Sequence, residues 1–180
     1  MKIYVKKKTN PDLTPMITFQ NVNLVITATT TALIAGLFYA WTCSVIPGLA
    51  RLSNFEYIRA MQSLNLSIQN PLFFASFLGT ALLLPVCSYL HFGQPISTRF
   101  WLLLISTAIY LIGVLGVTIF GNVPLNDSLA AFQLDSASVN EIAEARSRFE
   151  NRWNSLNTIR TVASSFSIIL IILACINSED

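Results

Sequence analysis

The chain has 180 residues, of which 53% are hydrophobic and only 11% charged, with a net charge of +2. A soluble domain carries about 25% charged residues, so a soluble globular class is excluded. No basic stripe with interleaved aromatics exists, which leaves nucleic-acid binding without support.

The charges leave long gaps. Residues 13–50, 61–98, 100–126 and 161–178 contain no Asp, Glu, Lys or Arg. A spanning helix needs about 20 apolar residues, so each gap holds one span. The expected fold is all-α: a four-span helical bundle of one domain, residues 1–180, with amphipathic helices in the connections between spans 1 and 2 and between spans 3 and 4. No cleavable signal is expected at the start, because its basic residues lead into polar ones and then into an apolar stretch longer than a signal core. The expected setting is the cytoplasmic membrane of a bacterium.

Lys2, Lys6, Lys7 and Lys8 open the chain as a basic tail. Span one is expected over about residues 22–45. Ala28, Ala32, Gly36, Ala40 and Ser44 recur every four residues along it. Small residues at this spacing let helices approach closely in lipid, here within the bundle, with a homo-oligomer seam as the alternative. Trp41 suits an interfacial anchor, and Pro47-Gly48 is expected to stop the helix.

A helical connection follows over about 54–69, capped by Ser53 or Asn54. Gln62, Asn65 and Gln69 share one of its faces, and amides there in place of charges predict a buried or interfacial polar surface. Asn70 is the N-cap candidate for span two, residues 71–90, with Pro71 in its first turn. Cys87 and His91 stand four apart near its end, but two ligands without a carboxylate make a poor metal site. The three cysteines, Cys43, Cys87 and Cys175, lie in separate spans and read as small apolar side chains. Span three is expected over 100–120, with Ser106, Tyr110, Gly113 and Gly116 as a small inward side and Gly121–Pro124 as its end.

Ser138 and Glu141 have capping-box spacing and start a helix over 139–157. Ile142, Ala145, Phe149, Trp153 and Leu156 form its apolar stripe. Glu141, Glu144, Arg148 and Arg152 form its charged face. Neither Gly nor Pro occurs after Pro124, so this helix can run on into span four, residues 158–176. At ~100° per residue, Trp153, Asn157, Arg160 and Ser164 share one face. An indole, an amide, a guanidinium and a hydroxyl at membrane depth must point inward.

Four spans place both connections at one end of the bundle. Gln62, Asn65, Asn70, Asn122, Asn126, Trp153, Asn157 and Arg160 therefore gather there. A pocket among them is polar at its mouth and apolar toward the membrane centre, which suits an apolar small molecule or a lipid with one polar end. A purely structural hydrogen-bonded network is the competing reading. The positive charges are nearly balanced between the two ends, and the Lys cluster favours an inside N-terminus.

Four segments together resemble the DUF1772, or anthrone oxygenase-like, family of small membrane proteins. They are Gly36-Leu-Phe-Tyr-Ala-Trp41 with Ser44–Arg51; Ala60-Met-Gln62-Ser-Leu-Asn65 with Gln69–Phe73; Asn122-Val-Pro124-Leu-Asn126; and Trp153-x-x-x-Asn157-x-x-Arg160-Thr161. The resemblance implies a four-span helical membrane protein. It also implies, from fungal members, oxidation of anthrones to anthraquinones. The family pattern often reads Trp-x-x-Trp-Asn-His-x-Arg-Thr in the last segment, where this chain has Leu156 and Thr158.

Two functions follow as expectations. One is a cofactor-independent oxygenase for a flat phenol- or anthrone-like substrate. Asn157 and Arg160 would stabilise an oxyanion, Trp153 would stack on the ring, and Gln62, Asn65, Asn70, Asn122 and Asn126 would bind substrate. Glu150 and Asp127 are the only carboxylates near enough to propose as a base. The other is a non-enzymatic module that binds a lipid, a quinone-like molecule or a partner helix. Neither a metal nor another cofactor is expected, and a transporter is disfavoured because the first three spans carry no central charge.

Overall fold

A computed structural model describes residues 18–177, so the Lys-rich start lies outside the described residues. Five helices account for most of them. They are α1 (Phe19–Leu49), α2 (Asn54–Ser67), α3 (Pro71–Leu90), α4 (Thr98–Ala130) and α5 (Val139–Ile176). All but α2 are long and apolar enough to cross a membrane. Large apolar side chains cover the outside, among them Leu72, Ile112 and Phe120. A monomer in water does not expose this much apolar surface, whereas a bilayer accepts it. The protein is a four-span integral membrane protein.

The bundle core joins Leu24, Ile34 and Phe38 of α1 to Phe77 and Leu84 of α3, Leu103 and Tyr110 of α4, and Ile171 of α5. Hydroxyls reinforce it where lipid offers no competing partner. Ser106 Oγ donates to the Ser167 carbonyl and Ser167 Oγ to that of Ser106, at 3.1 and 3.2 Å. Just beyond, a Cβ on Gly113 would sit 2.7 Å from Ala163 Cβ. The small inward side expected of span three is thus what brings α4 against α5.

Two expectations about helix ends are corrected. Pro47-Gly48 does not stop span one, and Gly121–Pro124 does not stop span three. Each proline follows a widened π turn, Trp41–Val45 in α1 and Thr118–Asn122 in α4. Proline normally breaks a helix because it lacks an N–H and its ring crowds the carbonyl four residues back. In the π turn the donors reach five residues back, so that crowded ladder is already interrupted: Ile46 N–H bonds the Trp41 carbonyl and Val123 N–H that of Thr118. Both helices therefore run past the expected boundary, to Leu49 and Ala130.

The five-residue small stripe is also corrected as a seam inside the bundle. Ala28 is half-buried, but Ala32, Gly36, Ala40 and Ser44 are exposed, and nothing lies within 4 Å of a Cβ built on Gly36. α1 packs instead through Leu24, Thr27, Thr31, Ile34, Ala35 and Phe38. These residues recur at helical spacing on the other side, and they bury more apolar area than the small residues would.

α5 runs unbroken for 38 residues, about 57 Å at helical rise. Its capping box forms as expected, with Ser138 Oγ accepting from Glu141 N–H and Glu141 Oε2 from Ser138 N–H. α2 opens on the same device, Ser53 with Glu56. The projecting ends of α1, α4 and α5 join α2 in a second core, where Tyr57, Ile58, Met61, Leu129, Ile142, Phe149 and Trp153 meet. Arg146 ties this cap together. It donates to the Leu52 carbonyl at 2.8 Å and the Ala50 carbonyl at 3.3 Å, and pairs with Glu150 at 2.7 Å. Its guanidinium also lies over the Tyr57 ring, 4.4 Å from the centroid. Burial pushes the Tyr57 hydroxyl well above the usual phenol range, and nearby Glu150 adds to this.

Candidate functional site

The boundary between the two cores is where the polar face of α5 turns inward. Trp153, Asn157, Arg160 and Ser164 are all buried, and Arg160 is 6% exposed. Side chains of α1 and α4 hold the first two of them. Trp153 Nε1–H donates to Asn126 Oδ1 on α4 at 2.8 Å, and its ring lies against Trp41 of α1, 5.0 Å between centroids. Asn157 Nδ2–H donates to Thr42 Oγ1 on α1 at 3.0 Å, and Thr42 also meets Thr161 Oγ1 at 2.8 Å.

Arg160 is the unusual member. Its Nη2 donates to Asn157 Oδ1 at 3.0 Å, and its Nη1 reaches Thr118 Oγ1 at 3.5 Å. Phe38 and Trp153 present their ring faces to the guanidinium, 4.5 and 5.3 Å from the centroids. Such contacts stabilise a desolvated cation by about 2 kcal/mol or more. No carboxylate neutralises it: the ion pairs among the described residues are Arg59–Asp135, Arg146–Glu150 and Arg148–Glu144. Its Nε has no hydrogen-bond partner. A buried guanidinium in this state is costly.

Beside it lies a cavity of about 50 Å³, lined by Leu37, Phe38, Trp41, Asn65, Ile68, Phe73, Asn126, Trp153, Asn157 and Arg160. Asn65 comes from α2, and its Nδ2 is likewise unpartnered. The structure thus brings five of the sequence-predicted residues to one cavity: Asn65, Asn126, Trp153, Asn157 and Arg160. The other three stand elsewhere. Gln62 donates to the Leu129 and Phe132 carbonyls at 2.8 and 3.1 Å, tying α2 to the end of α4. Asn70 caps α3, accepting from Phe73 N–H at 3.0 Å. Asn122 is 1% exposed, with neither end of its amide bonded, on α4 between Thr118 and Asn126.

The proposed bases do not line the cavity. Glu150 is bound to Arg146, and Asp127 is exposed. Thr158, where related chains often have histidine, is exposed and donates to the Asn154 carbonyl at 3.0 Å. Leu156 packs within 3.0 Å of the position a Gly121 Cβ would take. Cys87 Sγ is 4.0 Å from His91 Nδ1, but that nitrogen already bonds the Cys87 carbonyl at 2.8 Å. Among the described residues, no three His, Cys, Asp or Glu side chains converge.

Sequence reasoning missed Phe38, Thr42 and Thr118 and assigned Trp41 only to the membrane interface. Phe38 and Thr42 are one helical turn apart, on the side of α1 facing α5. Thr118 was hidden because span three was expected to end at Gly121–Pro124, which separated it from Asn122 and Asn126.

No curated protein and no solved structure matches the chain. A family model described as anthrone oxygenase matches residues 72–170, which span α3, α4 and most of α5, including Asn122, Asn126, Trp153, Asn157 and Arg160. With more than half of its length so matched, the chain belongs to the anthrone oxygenase family.

Proposed function

We propose that the protein binds an apolar aromatic molecule by one polar oxygen at Arg160, and that it oxidises an anthrone-like phenol with dioxygen. The observation that carries the ligand reading is the buried Arg160 guanidinium, without a carboxylate and with an unpartnered Nε beside a cavity. Family membership supports the reaction. In it the anthrone methylene becomes a ketone: the carbon loses two hydrogens and gains one oxygen atom of O₂, and the other oxygen leaves as water.

The chain's own groups would act on the substrate as follows. Arg160 and Asn157 oppose the charge that develops on the ring oxygen once a proton leaves the methylene carbon. Trp153, fixed by Asn126, offers a ring face for stacking. Asn65 offers a free amide N–H to orient the substrate oxygen. Drug-sized ligand pockets measure about 300–1,000 Å³, so the 50 Å³ cavity holds only the substrate's polar end. Its apolar body must part the half-buried Leu37, Ile68 and Phe73 at the rim.

A second reading, a non-enzymatic module for a lipid or quinone-like ligand, is favoured by one observation. Neither a carboxylate nor an imidazole lines the cavity. The experiment is anthraquinone formation from 1,8-dihydroxyanthrone under ¹⁸O₂, in mild detergent, with wild type, Asn157→Ala and Arg160→Lys. The oxygenase reading expects label in the new ketone above the uncatalysed background, and its loss in both variants at unchanged helix content. Background rates from folded wild type, with retained binding of the anthrone, would leave the module reading in place.

A further inference from the structure

We infer that the ligand is held as an anion, with its ionised oxygen on Arg160 and Asn65 and its apolar body outside, against Leu37, Ile68 and Phe73. The inference deepens the ligand reading above and rests on it. It also names the substrate class: an acid whose conjugate base is a phenolate, enolate or carboxylate on an apolar frame.

Four observations converge. First, Arg160 carries its charge at 6% exposure with no carboxylate of the described residues within ion-pair distance. Secondly, the two fully buried polar atoms left unpartnered at the cavity are both donors. Arg160 Nε and Asn65 Nδ2 are unpartnered, whereas Asn157 Oδ1 already accepts from Arg160 and Asn126 Oδ1 from Trp153. A ligand group that only accepts matches such a set. Thirdly, the about 50 Å³ available is about a third of the roughly 150 Å³ of a cavity that takes a benzene ring, enough for a polar group and not for a ring. Fourthly, water would fill the bonds but leave the charge uncompensated in a medium that penalises it.

The charge must arrive with the ligand because the site has nothing to take a proton. The groups facing Arg160 are Phe38, Trp41 and Thr42 of α1, Asn65 of α2, Thr118 and Asn126 of α4, and Trp153 and Asn157 of α5. None is a base at neutral pH. The O–H or C–H bond of the acid therefore breaks in water, its proton goes to bulk solvent, and the anion enters. No electron changes hands in this step.

The test uses three probes of one shape on the whole protein in mild detergent: 2-naphthol, 2-naphthoate and neutral 2-methylnaphthalene. The bound naphthol is titrated by its own absorbance. An opposite charge within about 4–6 Å lowers an acid's pKa by about one to three, so naphthol on wild type is expected to ionise that much lower than in detergent alone. Naphthoate is expected to bind at least about tenfold tighter than methylnaphthalene at pH 7, and Arg160→Gln to erase both effects. Naphthoate binding by itself also supports the inference, and moves the ligand from phenols to apolar carboxylic acids. Equal affinity for all three probes, with naphthol neutral when bound, overturns the anion while leaving the site. If folded wild type binds none of them, both the anion and the ligand site fall. The wild-type titration decides the question even where Arg160→Gln does not fold.

Discussion

Replacing Thr42 by valine tests whether Asn157 is held from α1. The side chains are nearly isosteric, so the change removes an oxygen and leaves the volume. Asn157 is fully buried and its Nδ2 donates to Thr42 Oγ1 at 3.0 Å. The valine therefore leaves that buried N–H without its protein partner. An orphaned buried group costs about 1–3 kcal/mol in water-soluble proteins. Hydrogen bonds between membrane helices average only about 0.6 and reach about 1.7 kcal/mol, because the unfolded chain also finds partners in the bilayer. Thr161 softens the loss, since its hydroxyl can still donate to the Phe38 carbonyl at 3.1 Å. The expected cost is about 1–1.5 kcal/mol, near the upper end of the membrane range. Thr42→Ser keeps the oxygen and should cost under about 0.5 kcal/mol. Reversible unfolding in mixed micelles of increasing SDS fraction, followed by helical circular dichroism, measures both. A Thr42→Val protein as stable as wild type, or a serine variant as damaged as valine, would refute the reasoning.

Three further outcomes are expected. Gly113→Ala should destabilise by about 1–3 kcal/mol, since its Cβ would lie 2.7 Å from that of Ala163, and Ala163→Gly should restore most of the loss in the double variant. Gly36→Ala meets nothing within 4 Å and should be neutral or gain up to about 1 kcal/mol in the monomer. A drop in cross-linked dimer in that variant would mark the exposed small stripe as a seam between copies. The bond from the Ser53 hydroxyl holds the Glu56 carboxyl below its usual range, and the Ser53 backbone N–H adds to it. A depressed folded pKa contributes stability above the unfolded value and loses it as pH falls through the folded one. Glu56→Gln should therefore lower thermal stability at pH 7, and match wild type once the pH is below both values.

The spans and the inward face of α5 were legible because lipid imposes simple demands. Charge-free runs of sufficient length must cross, and a face carrying Trp153, Asn157 and Arg160 has only the protein interior to turn to. Asn65 was legible as an amide on a helix face without charges, and Asn126 because four spans bring both connections to one end. The ends of α1 and α4 were not, since Pro47 and Pro124 stop a helix only when the turn before them is α-helical. The side chosen by α1 was misread because small residues permit close packing without requiring it, and Phe38 and Ile34 opposite offered more burial. Gln62 and Asn70 share the composition of a site but spend their amides on backbone groups. Only the coordinates reveal where an amide's bonds have gone.

The π turns have a consequence for how this chain can vary in length. Each holds about one residue more than the α-helix would need over the same rise, and one residue turns a helix by about 100°. Deleting a single residue from Trp41–Val45 could let α1 close into a regular helix. The helix before and after the deletion would then keep its phase, because the widened turn had absorbed the extra residue, and only the turn itself would tighten. Trp41 and Thr42 would no longer face Trp153 and Asn157 together, although hydropathy and length would hardly change. The local geometry of each widened turn is thus a stricter constraint on this chain than span length. One-residue insertions should be tolerated at Phe92–Gly93 in the connection from α3 to α4, and rejected in either widened turn.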